Sequence, residues 1–118
     1  MYEEDFTREF VGEILIEKVN LDRATLKEAV AFKERLLDDF STGYNKIIVD
    51  FSKCNYIDSS LVGTLVVLVE RLSKKSGELK VVIPKSDAFQ FSTYIGLLRV
   101  FNLYHTLDEA INSFGRQT

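Results

Sequence analysis

The chain has little of what enzymes and secreted proteins are commonly built from. Its 118 residues include one cysteine, one proline, one histidine and no tryptophan. The single Cys54 cannot close an internal disulfide, so the expected compartment is reducing, the cytoplasm. With His105 as the only imidazole, no Cys/His spacing matches a zinc site, and no metal is expected. Glycine-rich phosphate loops are missing as well, so no cofactor is expected. Cys54 and His105 could meet only through the tertiary fold, which leaves no legible nucleophile–base pair and no expected catalysis. Lys plus Arg total 15 against 18 Asp plus Glu, a formal charge of −3, with no basic block. That composition recruits neither nucleic acid nor an anionic membrane surface. The longest apolar stretch, Leu61 to Val69, is broken by Gly63 and Thr64. A membrane span needs about 20 apolar residues. The acidic start, Met1 to Phe6, has no signal-peptide pattern.

What is present is an ordinary globular balance, 46% hydrophobic and 28% charged, with nine Phe and five Tyr for a core. One domain over residues 1–118 is expected. Alternation in Glu13 to Val19 reads as a strand, paired through a turn at Gly12 with another around Arg8 to Val11. Asn20 to Ala24 read as a connector. Thr25 and Glu28 have capping-box spacing. Leu26, Ala29, Val30, Leu36, Leu37 and Phe40 then follow at helical spacing, so Thr25 to Ser41 reads as an amphipathic helix stopped at Gly43. Glu34, Asp38 and Asp39 are expected on its solvated face.

Lys46 to Phe51 is rich in β-branched apolar residues and reads as a central strand. A polar loop, Ser52 to Asp58, leads to a second helix from Ser59 to Lys75, ended by Gly77. Leu79 to Ile83 is a further strand, stopped by Pro84. Ser86 or Asp87 begins a third helix through Phe89, Tyr94 and Ile95 to Gly96. Phe101 to Tyr104 reads as a short strand. Thr106 and Glu109 box the last helix, with Leu107, Ala110, Ile111 and Phe114 on one face. The order ββαβαβαβα predicts an α/β fold, a mixed but mostly parallel sheet flanked by helices.

One segment stands apart: Asn55-Tyr56-Ile57-Asp58-Ser59-Ser60-Leu61-Val62-Gly63. Asp58 or Ser59 can cap the helix that follows, and capping alone would account for the pair. A serine at a helix start is also exposed enough to be phosphorylated, and the helix-end amides tolerate the added charge.

Ile47 to Phe51, a short loop and Ile57-Asp58-Ser59-Ser60 together resemble the core signature of STAS domains, the family of sulphate transporters and anti-sigma factor antagonists. Leu21 to Thr25, Ser76 to Val82, Gly96 to Phe101 and Thr106 to Ala110 resemble further segments of that family, in the same order. The resemblance implies a partner switch. The unphosphorylated antagonist binds an anti-sigma factor, often a serine kinase, and frees a sigma factor. Phosphorylation of the serine after the aspartate breaks that complex, and a phosphatase resets it. Here that serine is Ser59, with Ser60 the next candidate, and Asp22 and Asp58 match positions near the partner surface. Leu61 stands where the family commonly has glycine, a side chain that adds helix propensity or crowds a kinase. The resemblance leaves a second role open, an accessory subunit of a transporter or a signalling scaffold without the phospho-switch. An exposed edge strand leaves a dimer open.

Overall fold

The computed structural model describes residues 4–83 and 101–115. Five strands form the main sheet: β1 (Phe6–Val11), β2 (Ile14–Val19), β4 (Lys46–Asp50), β6 (Glu78–Val82) and β7 (Asn102–Tyr104). Their spatial order is β1-β2-β4-β6-β7. β1 runs antiparallel to β2, and the other neighbours are parallel. β4 is therefore the middle strand, in keeping with its continuous apolar sequence. Gly12 turns the first hairpin at φ +58°, a left-handed conformation open to glycine at little cost.

Among the described residues three helices flank the sheet: α1 (Leu26–Thr42), α2 (Ser59–Ser73) and α3 (Leu107–Gly115). Alternate residues along each strand serve opposite faces. Leu15, Ile47, Val49, Leu79 and Val81 meet α1 and α2 through Phe32, Leu36, Leu65, Leu68 and Leu72. Ile14, Ile16, Ile48 and Val82 meet α3 through Ala110 and Phe114. On that second face Lys80 is also buried, its Nζ donating to Ser113 Oγ and lying 4.0 Å from the Phe114 ring centre.

The third helix expected between Ser86 and Gly96 lies outside the described residues. Two short strands were missed by the hydrophobic pattern. β3 (Arg23–Ala24) and β5 (Tyr56–Ile57) form a separate two-stranded parallel ribbon. The segments expected as a plain connector and a plain loop are thereby joined. α2 ends at Ser73, earlier than expected, and Ser76, not Gly77, takes the left-handed turn at φ +59°. Gly77 is required for closeness instead. A Cβ there would lie 2.8 Å from the Asn45 carbonyl oxygen.

α1 corrects two further expectations. It buries Ala29, Phe32, Leu36 and Asp39. Leu26 and Val30 are 63% and 59% exposed. At about 100° per residue, they sit roughly 120° around the axis from the buried stripe. Asp39, expected in solvent, is 3% exposed. Its Oδ1 accepts from Arg8 Nε at 2.9 Å. Arg8 also donates to Glu17, which is fully buried and bound again by Arg35 Nε at 2.6 Å. This charge cluster ties β1, β2 and α1 together. Burial pushes the Asp39 carboxyl up to about 8, Glu17 adds to the rise through a hydrogen bond and its charge, and Arg8 opposes it.

Candidate functional site

The ribbon places the segments of Asp22 and Ser59 side by side. The Asp22 carbonyl accepts N–H groups from Asn55 at 2.7 Å and Tyr56 at 3.2 Å. The Asp22 carboxylate accepts from Asn55 Nδ2. Asp58 N–H reaches the Ala24 carbonyl at 3.3 Å. Ala24 and Ile57 point inward and are buried, and so is Cys54, whose Sγ lies 3.3 Å from the Tyr56 carbonyl. Register then leaves Arg23 and Tyr56 opposite each other on the outer side, with the Arg23 guanidinium 4.3 Å from the ring centre.

Asp58 is the junction of the site. Its Oδ1 accepts from Ser60 N at 3.1 Å and Leu61 N at 3.2 Å, which caps α2. Its Oδ2 accepts from Leu26 N, the first residue of α1, at 3.1 Å. One carboxylate thus satisfies amides at two helix starts, both of which carry partial positive charge. Thr25 and Glu28 complete the α1 cap, Glu28 Oε1 accepting the Thr25 N–H at 2.8 Å. That backbone bond holds the Glu28 carboxyl below its usual range.

Ser59 is the first residue of α2 and is exposed, while Ser60 is half-buried. One turn further, Gly63 is also exposed, and a Cβ there would meet nothing within 4 Å. Leu61 points the other way and is fully buried. It therefore fills the core and presents no exposed side chain beside Ser59.

Asp22, Asp58 and Ser59, singled out in the sequence, lie on adjoining segments at one end of the sheet. Asp22 and Ser59 are exposed, and Asp58 is half-buried by its helix-capping work. His105 sits in the β7–α3 loop, its Nδ1 3.3 Å from the Ile83 carbonyl. Sequence reasoning missed Arg23, Tyr56, Leu26 and Val30 as surface neighbours of this site. The apolar pair was legible as a stripe, but its direction was not. Among the described residues no group of His, Cys, Asp and Glu is arranged to hold a metal, and no helix is long and apolar enough to cross a membrane.

The family profile described as STAS domain matches residues 10–110. A relative in Thermotoga maritima, named "Putative anti-sigma factor antagonist", is 27% identical over 95% of this chain and 99% of its own. The crystal structure of a protein of that name from the same organism superposes with a TM-score of 0.82 at 26% identity, over 94% of this chain and 95% of that one. The Bacillus cell fate determinant SpoIIAA in its phosphorylated form shares the fold. Its TM-score is 0.69 at 20% identity, over 92% of this chain and 98% of that one.

Proposed function

Because the chain belongs to the STAS domain family, we propose that it is an anti-sigma factor antagonist, a cytoplasmic binding module switched by phosphorylation of Ser59. The observation that carries this reading is the placement of Ser59. Its side chain is exposed at a helix start, one residue after a carboxylate that already occupies the helix-end amides. The partner is an anti-sigma factor with serine kinase activity, and a phosphatase restores the binding form. Asp22, Asp58 and Ser59 form the centre of the partner surface.

Phosphorylation adds about −1.5 to −2 charge at pH 7. In the free protein, water and the partial positive charge of the α2 start accommodate it, the latter by roughly 0.3–1 kcal/mol. Against a partner the same group loses water and faces Asp58. Like charges juxtaposed across an interface cost several kcal/mol, and each ~1.4 kcal/mol is tenfold in affinity. The complex therefore fails while the fold persists.

The test is affinity for the host's anti-sigma factor, measured for wild type, phosphorylated protein, Ser59→Ala and Ser59→Asp, with circular dichroism in parallel. Ser59→Ala should bind and escape the kinase, and Ser59→Asp should bind more weakly. Modification confined to Ser60 would reassign the site. Unchanged affinity after complete phosphorylation of Ser59 would defeat the switch and favour the accessory or scaffold role.

A further inference from the structure

Arg23 is a cation that packs over the Tyr56 ring. It is exposed, and among the described residues it makes no ion pair. Its guanidinium lies 4.3 Å from the centre of the Tyr56 ring, opposite it in the β3–β5 register. The buried neighbours Ala24 and Ile57 hold that register from below. Arg23 is exposed, and a contact through the ring face occupies none of the guanidinium N–H donors. Their planar fork matches a carboxylate in bidentate fashion, a fit the ammonium of lysine cannot reproduce. Beside it α1 begins, with Leu26 and Val30 exposed one turn apart. Leu26 is held there by the bond from its amide to Asp58.

A guanidinium steadied on an aromatic ring and flanked by bare aliphatic groups has the composition of an interface anchor. Arg and Tyr are over-represented among residues that dominate binding energy. Immobilising the Arg before association also removes part of the ordering cost.

We infer that Arg23, braced on Tyr56, is the anchor for a carboxylate of the partner, with Leu26 and Val30 receiving an apolar side chain next to it. The occupant is a segment of the anti-sigma factor carrying Asp or Glu beside an aliphatic or aromatic residue. This rests on the proposed function and identifies the chemistry of its partner. It also supplies the charge that a phosphoryl group on Ser59 would repel. The carboxylate seated on Arg23 and the new phosphate would share a small surface with Asp58, and both would lose water there.

The experiment is titration calorimetry of the purified anti-sigma factor against wild type, Arg23→Ala, Arg23→Lys, Tyr56→Leu and Ser59→Asp. Arg23→Ala should weaken binding about tenfold or more, a loss typical of an anchoring residue. Arg23→Lys should fall between it and wild type, because the charge remains and the fork does not. Tyr56→Leu should weaken binding in the same direction while leaving the charge intact. Thermal unfolding checks that each variant is folded, and Arg23→Lys remains informative if Arg23→Ala is not. Arg23→Glu should lose binding and regain it with a partner whose paired acidic residue is changed to Lys. If wild type binds and Ser59→Asp binds weakly, but Arg23→Ala and Arg23→Lys match wild type, the anchor is wrong and the function stands. If wild type itself does not bind the anti-sigma factor, both are overturned.

Discussion

Asp58 and Leu26 are joined across 32 positions of sequence by a 3.1 Å bond from the Leu26 amide to Asp58 Oδ2. The other oxygen of the same carboxylate caps α2. The two helix starts are therefore held by one side chain, and disturbing it acts on both.

Asp58→Ala should cost more than an ordinary cap. Losing a single N-cap costs about 0.5–2 kcal/mol, and here an amide of α1 loses its acceptor too, so about 2 kcal/mol or more is expected. Asp58→Asn should cost less, because its carbonyl can still serve α2. Urea unfolding of the three proteins gives the comparison. A loss below about 0.5 kcal/mol for Asp58→Ala would mean that water replaces the junction.

Stability should depend on pH through Asp39. Its carboxyl is raised to about 8 in the fold by burial first and Glu17 second, with Arg8 opposing and with Arg35 and Asp38 nearby. An unfolded aspartate titrates near 4, so the folded chain holds the extra proton between roughly pH 4 and 8. This contribution is complete below the unfolded value and is lost as pH rises through the folded one. Wild type should therefore weaken toward alkaline pH relative to Asp39→Asn, which holds no titrating group there. Denaturation midpoints of both proteins measured from about pH 5 to about pH 9 would show it. Parallel curves would show that Arg8 outweighs burial and Glu17 and keeps Asp39 ionised.

Restoring the glycine common to the family at Leu61 should harm the fold and leave the approach to Ser59 as it is. Leu61 is fully buried. Removing its side chain and placing glycine in a helix should cost about 3–5 kcal/mol. A loss under about 1 kcal/mol in urea unfolding would mean that the neighbouring side chains close the gap.

Gly63→Ala separates stability from binding. Nothing lies within 4 Å of the added methyl, so helix stability should rise by up to about 1 kcal/mol. Gly63 lies one turn from Ser59 on the exposed face. A partner packed closely there should bind Gly63→Ala more weakly in spite of its higher melting temperature. Unchanged affinity would move the interface away from this turn, toward β3 and α1.

Much of the fold was legible because its signals are local. β2, β4 and β6 carry apolar runs or alternation, Thr25 stands three residues before the glutamate that completes its capping box, and Thr106 Oγ1 accepts the Glu109 N–H at the same spacing. Two kinds of feature were not legible. β3 and β5 have two residues each, too few for any periodicity, and they exist only because their segments meet. The burial of Asp39 depends on Arg8, 31 positions earlier, so a local pattern reads it as surface. The exposure of Leu26 and Val30 has the same origin. Their spacing announces an apolar stripe, but the direction α1 faces is fixed by Phe32 and Leu36 against the sheet. The segment Asp58-Ser59 was found from sequence because a helix start needs a cap, whereas Arg23 gained meaning only when β5 placed Tyr56 beneath it.

The two-rung ribbon also dates the site during synthesis. A nascent chain that has emerged only as far as α1 lacks Asn55 and Tyr56, so the Asp22 carbonyl has neither of its two backbone donors. It lacks Asp58 as well, and the Leu26 amide faces water. Translation delivers the chain from its N-terminus, so this surface is assembled only after β4 and the following loop have left the ribosome. A truncated chain that stops short of Asp58 would hold Leu26 and Val30 without the geometry that presents them. It would be a poor competitor for the partner of the finished protein.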